Sequence, residues 1–149
     1  MPITYRIDHE RKLIVARGYG TITDADVFDY QQAAWSGREV AGYAELVDMT
    51  DVSDIALPSV RRVQDLASLA ARMDDATTPS KFAIVAPTDI AFGLGRMYQT
   101  FRESQQRSTK DVGVFRTLND ASAYLELDTA PTLPPLPPLP QGFVTERKT

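Results

Sequence analysis

Asp48, Thr50 and Asp51 stand together where an apolar run gives way to polar residues, and Thr88 with Asp89 closes a second such run. Carboxylates and hydroxyls in this pattern are hard oxygen donors and acceptors, able to hold a cation or to orient a polar ligand. The same short side chains also form turns and caps by hydrogen-bonding their own backbone, and for the pair Asp48 and Asp51 that reading is preferred over a metal site. A phosphoacceptor at Asp48 would need a further acidic pair after an earlier strand and a lysine after the fifth strand, and neither stands there. Gly18-Tyr19-Gly20 follows a strand pattern and precedes a helix pattern, as in loops that let a pyrophosphate approach a helix N-terminus. Thr23 replaces the last small residue of such a loop, so a twisted strand end is the simpler reading.

With no cysteine, disulfide frameworks, thiolate zinc sites and cysteine nucleophiles are excluded. The single histidine, His9, lies in the polar turn His9-Glu10-Arg11-Lys12 with no G-x-S-x-G elsewhere, so it reads as a solvated turn residue and not as a catalytic base. No spacing of carboxylates selects a general acid and base. We therefore expect a protein that binds without catalysing and that needs neither cofactor nor metal, with Gln31, Asp48, Thr50, Thr88 and Asp89 as the ligand-facing residues.

The elements that must position these residues follow from hydropathy. Residues 3–8 alternate apolar and polar, and residues 13–19 are β-rich, predicting an antiparallel hairpin. Thr23 is an N-cap for a helix over residues 24–35, whose acidic first turn suits the helix dipole. Residues 43–49 predict a third strand. Pro58 suits the first turn of a helix running to about residue 74, with an inner stripe of Val60, Val63, Leu66, Ala67, Ala70 and Met73. Residues 82–86 are continuously apolar, as in a strand covered on both faces. Thr88 or Asp89 caps a third helix to about residue 106, with an apolar ridge of Ile90, Leu94, Met97, Tyr98 and Phe101. Residues 112–116 are a fifth strand, and Asn119 or Asp120 opens a closing helix. The order ββαβαβαβα predicts an α/β fold with a mainly parallel five-stranded sheet and an N-terminal antiparallel hairpin. In such sheets the carboxyl ends of the strands meet at a crevice, so the loops holding Asp48-Met49-Thr50-Asp51, Pro87-Thr88-Asp89 and Arg116-Thr117 are expected on one edge.

Two departures from a plain core stand out. Gln31 lies inside the apolar stripe of Val27, Phe28, Ala34 and Trp35, where a buried amide needs a backbone group, a water or a small pocket to face. Gly93 and Gly95 each cost a helix about 0.8–1.0 kcal/mol against alanine, which a close approach by a helix, a second subunit or a ligand would offset. Gly93, Gly95 and Met97 are accordingly candidate interface residues.

The 149 residues suit one domain, and the composition changes near Asp128 into a proline-rich tail, dividing the chain into residues 1–128 and 129–149. In the tail, Leu133, Leu136 and Leu139 repeat every third residue, the period of a polyproline II rod, and form one leucine ridge. Such a tail is either a loose extension or an arm docking on its own domain, a sister subunit or another protein. Sixteen basic against twenty acidic residues leave a net charge of −4, with no cationic excess to attract nucleic acid or an anionic membrane. No apolar run approaches the roughly 20 residues of a membrane span, and residues 1–6 lack the layout of a signal peptide, so a cytoplasmic protein without membrane insertion is expected.

The element order, with Glu45-Leu46-Val47-Asp48-Met49-Thr50-Asp51-Val52-Ser53 leading to a helix at Pro58-Ser59-Val60, resembles the STAS fold of anti-sigma-factor antagonists. Lys81-Phe82-Ala83-Ile84-Val85-Ala86-Pro87, Ala91-Phe92-Gly93-Leu94-Gly95-Arg96-Met97-Tyr98 and Val114-Phe115-Arg116 are more closely similar to the SpoIIAA-like (STAS/Sec14-like) family of small bacterial proteins. The resemblance spans about residues 3–127. It implies a STAS-like domain without an established enzyme activity; with that element order and no catalytic constellation, we expect a module that acts by regulation or protein interaction, with a homodimer through the third helix or the tail, or a regulatory protein, as partner. The alternative it implies is a carrier or sensor of a small apolar, lipid-like ligand held between helices and sheet. In antagonists of that fold a serine in Asp-Ser-(Ser/Ala)-Gly is phosphorylated; here Ile55-Ala56-Leu57-Pro58-Ser59-Val60 stands in its place, and Ser59 is the nearest hydroxyl. The Asp and Gly of that motif are missing.

Overall fold

The structure is a computed structural model and describes residues 2–56, 59–75, 78–105 and 108–137. In chain order it contains β1 (Ile3–Asp8), β2 (Leu13–Thr23), α1 (Asp24–Trp35), a short 3-10 turn (Arg38–Val40), β3 (Ala44–Ala56), α2 (Val60–Met73), β4 (Ser80–Val85), α3 (Asp89–Glu103), β5 (Lys110–Phe115) and α4 (Leu118–Tyr124). The sheet runs β1-β2-β3-β4-β5, with β1 antiparallel to β2 and every other pairing parallel. The predicted element order and α/β class are those of the fold.

Each crossover from β2 to β5 moves one strand in the same direction. Right-handed crossovers of that kind place their helices on one face, and α1, α2 and α3 do share a face. Ile14 and Ala16 pack with α1, and Phe82, Ile84 and Val112 pack with α2 and α3. The alternate residues Leu13, Val15, Leu46, Ala83 and Val85 face the other way, against α4. The period of two thus sorts one run of strand residues into two cores.

Two strands are longer than the local pattern predicts. β2 and β3 pair in parallel from Leu13↔Ala44 to Thr23↔Ala56, with irregularities between Arg17 and Tyr19 and between Gly20 and Thr21. Asp48, Thr50 and Asp51 therefore lie within a strand and not in a crevice loop. The polar run resembles a turn only when each strand is read alone; the neighbouring ladder satisfies its backbone, and the Arg17 guanidinium meets the Asp51 carboxylate at 2.9 Å. Gly18-Tyr19-Gly20 likewise lies inside β2 and not in a loop before a helix. A Cβ on Gly18 would stand 2.6 Å from Ile22 Cδ1, so glycine there permits close side-chain packing.

The helix starts match their caps. Thr23 and Asp26 form a reciprocal capping box at α1, while Ser59 and Thr88 cap α2 and α3 through their hydroxyls. α4 begins at Leu118, capped by Thr117 and not by Asn119 or Asp120 as expected. Pro58 lies outside the described residues. Val60 and Ile90, expected on inner faces, are instead 54% and 71% exposed, on the first turns of α2 and α3. His9 stays at the exposed hairpin turn, yet its Nδ1 lies 2.9 Å from the Tyr43 hydroxyl.

After Leu125, and a left-handed backbone at Glu126, the chain runs along the face carrying α4. Pro131 and Pro134 are buried, Leu133 packs half-buried against the Leu13–Val15 core, and Leu136 is 39% exposed. The side of the arm turned to the domain therefore mixes Pro131 and Pro134 with Leu133, while Leu136 and Pro137 are exposed. Arginines determine this orientation: Arg6 donates to the Thr132 carbonyl at 2.7 Å, Arg11 to the Thr129 hydroxyl at 2.8 Å, and Arg17 to the Pro134 carbonyl at 3.2 Å. Leu139 lies outside the described residues.

Candidate functional site

Between the three-helix layer and the sheet lies a cavity of about 140 Å³. The sheet supplies Ile22, Val47, Met49, Phe82 and Ile84, and the helices supply Val27, Phe28, Val63, Leu66, Ala91 and Leu94. The lining is apolar because these are inward positions of amphipathic elements, and small residues stand among them where helix meets sheet. Gly95 is one: a Cβ there would lie 2.9 Å from Val114 Cγ1, so glycine brings α3 against β4 and β5. Gly93 has nothing within 4 Å of such an atom and is exposed, so the close approach expected of both glycines holds for Gly95 alone. Met97 packs half-buried against the same core.

One end of the cavity reaches the first turns of α1 and α2. There the Arg62 Nε donates to Asp24 Oδ2 at 2.6 Å while its guanidinium lies 4.3 Å over the Phe28 ring. The hydrogen bond from Arg62 holds the Asp24 carboxyl below the usual range, against the opposing effect of desolvation.

At the opposite end the wall is polar. Glu45, 2% exposed, accepts from the Tyr30 hydroxyl at 2.7 Å, from Trp35 Nε1 at 3.2 Å and from Lys110 Nζ at 3.0 Å. The ammonium of Lys110 also sits 3.1 Å from the Trp35 ring centroid, where the ring quadrupole attracts it. Burial pulls the Lys110 amine below its ordinary value, with the Glu45 carboxylate opposing, and burial pushes the Tyr30 phenol well up. Beside this group Arg102, 1% exposed, pairs with Asp74 at 2.6 Å and donates to the Tyr98 hydroxyl. These charges are paired and hydrogen-bonded, the condition on which buried ions are tolerated.

Beyond that wall a second cavity of about 230 Å³ is lined by Trp35, Asp74, Ser80, Thr109 and Lys110 among others. Gln31 lines both cavities. It is 7% exposed, and its Nε2 reaches only Met73 Sδ, at 3.7 Å.

The residues expected to face a ligand are not gathered together. Gln31 is at the cavity. Asp48 is buried on the opposite face of the sheet and accepts from the backbone and hydroxyl of Thr50, at 2.9 and 2.5 Å, as a turn-former does. Thr88 is the cap of α3, and exposed Asp89 pairs with Arg116 at 2.9 Å. A crevice beyond the strand ends needs a reversal of strand order, and this sheet has none from β2 to β5, so the open volume falls beneath the helices. Ser59 is an exposed N-cap, its Oγ 3.3 Å from the Arg62 amide. Among the described residues no group of three or more His, Asp or Glu side chains is placed to hold a metal. The sequence reading missed Tyr30, Glu45, Tyr98, Arg102 and Lys110. The available signal was Glu45, a lone acid at an inward position of the apolar run Ala44-Glu45-Leu46-Val47.

No protein-family model and no curated protein matches the chain. Among solved structures it is similar to an uncharacterized protein of the DUF3478 family from Shewanella loihica PV-4, described as having a SpoIIAA-like fold. The TM-score is 0.54 at 16% identity, covering 83% of this chain and 93% of the other. The chain has a SpoIIAA-like fold, as its element order implies. No helix among the described residues is long and apolar enough to cross a membrane.

Proposed function

We propose that this protein is a non-catalytic binding module of the SpoIIAA-like fold that carries or senses a small apolar ligand in the cavity beneath α1, α2 and α3. The observation that supports this reading is the unfilled apolar volume between the helix layer and the sheet. Protein interiors leave few voids larger than a water, and an apolar cavity of about 150 Å³ stays dry and takes up benzene. At about 140 Å³ this one matches a single ring or a short chain, smaller than a whole lipid. The charged groups on its walls are ion-paired, Asp24 with Arg62 and Glu45 with Lys110.

Native mass spectrometry and thermal shift with toluene test this. Toluene is expected to bind the wild type and raise its Tm, and Leu94→Trp, which fills the cavity from a half-exposed position, is expected to abolish both effects. A wild-type protein indifferent to toluene and to phenol alike would overturn the reading. A second reading, contact with a regulatory protein or a second copy, is favoured by Val60 and Ile90, exposed on the first turns of α2 and α3. Sedimentation of the wild type and of Ile90→Lys distinguishes it: a dimer that Ile90→Lys dissociates supports self-association there, and a monomer in both argues against it.

A further inference from the structure

The polar side chains on the cavity wall are Asp24, Tyr30, Gln31, Glu45, Arg62 and Tyr98. Asp24 and Arg62 satisfy each other, Tyr30 and Glu45 are joined, and Tyr98 accepts from Arg102. Gln31 is the exception. More than nine-tenths buried, it has one partner among the described residues, the sulfur of Met73 at 3.7 Å from its amide nitrogen. Sulfur is a weak acceptor, and the amide oxygen has no donor. The oxygen is not sealed from a water-sized probe, and a bound O–H or N–H group can donate to it in place of water.

We infer that Gln31 selects the ligand: the occupant of the cavity is a small apolar molecule carrying one O–H or N–H group, which donates to the Gln31 amide oxygen while its hydrocarbon part fills the space between Val63, Leu66, Phe82 and Leu94. A phenol has this shape and chemistry and matches the volume. The inference rests on the cavity reading above and adds the class of ligand. It also explains a glutamine in the middle of an apolar helix stripe, where leucine would pack and leave no cost.

The probes are toluene and phenol, of similar size and differing in the donor, titrated by calorimetry and NMR into the wild type, Gln31→Leu and Gln31→Met. Phenol is expected to bind the wild type. Either substitution is expected to weaken phenol by about tenfold or more, since its hydroxyl would then be buried unpaired, while toluene binds as well or better. If toluene binds and the phenol-to-toluene ratio is the same in wild type and both variants, the inference on Gln31 fails and the cavity reading stands. If neither probe binds the wild type, the cavity reading fails and the inference with it. The two variants guard against the misfolding of one, and unchanged amide spectra outside the cavity certify each fold.

Discussion

Lys110 Nζ lies 3.0 Å from Glu45 Oε1 across two strand boundaries, joining the start of β5 to the start of β3 beneath the ring of Phe82 on β4. Both side chains are almost fully buried, so their attraction offsets a desolvation cost that neither could bear alone. Lys110→Met leaves Glu45 with only the donors Tyr30 and Trp35. We expect it to destabilise the domain by about 3–5 kcal/mol in urea unfolding, and the double variant Lys110→Met, Glu45→Gln to regain part of that loss. Equal stability of the wild type and Lys110→Met would show that the pair contributes nothing.

The two helix glycines should respond with opposite signs. Gly93→Ala adds a methyl into open space and removes the entropic penalty of glycine, so it should stabilise by about 0.5–1 kcal/mol. Gly95→Ala places its methyl within 2.9 Å of Val114 Cγ1 and should destabilise, by about 1–3 kcal/mol, through overpacking. Thermal unfolding of the pair reads both.

The proline arm makes a similar contrast. Leu133→Ala withdraws a half-buried side chain from the core beneath α4 and should cost about 1–2 kcal/mol, whereas Leu136→Ala, on the exposed edge, should stay within about 0.5 kcal/mol of the wild type. If both are silent, the arm does not pack on the domain in solution.

Alkaline pH should unfold the domain through its buried phenols. Burial raises the values of Tyr30 and Tyr98 above 10.0, so the unfolded chain gives up these protons first. Their contribution to stability is complete below pH 10.0 and is lost as pH rises beyond it. Lys110 works in the other direction: its lowered value makes stability rise with pH, but only up to 10.5. Above that the phenols act alone. Ultraviolet titration should show the Tyr30 and Tyr98 phenols ionising only as the domain unfolds, with Tyr124, pushed up to about 12, also late, and Tyr30→Phe and Tyr98→Phe should each remove one late-ionising phenol.

The element order, the hairpin, the parallel sheet and the caps at Thr23 and Thr88 were legible in the sequence because each arises from signals a few residues apart: a period of two or of 3.6, and a hydroxyl before an apolar run. Gln31 was legible for the same reason, as a polar residue breaking a helical stripe. The length of β3 was not. Whether Asp48, Thr50 and Asp51 turn or continue depends on the ladder that β2 offers, and that is a contact between distant segments.

The amino-acid sequence by itself determined the α/β class and the amide that interrupts α1. Only the tertiary structure decided that the strands run in unbroken order, so that the open volume lies under the helices and not beyond the strand ends. It alone joined Glu45 to Lys110, 65 residues apart, and turned Pro131 and Pro134 inward beside Leu133 along the arm. The physical reason is common to all three: burial and hydrogen bonding are decided by which faces meet, and a chain's local periods say which face is apolar without saying what will cover it.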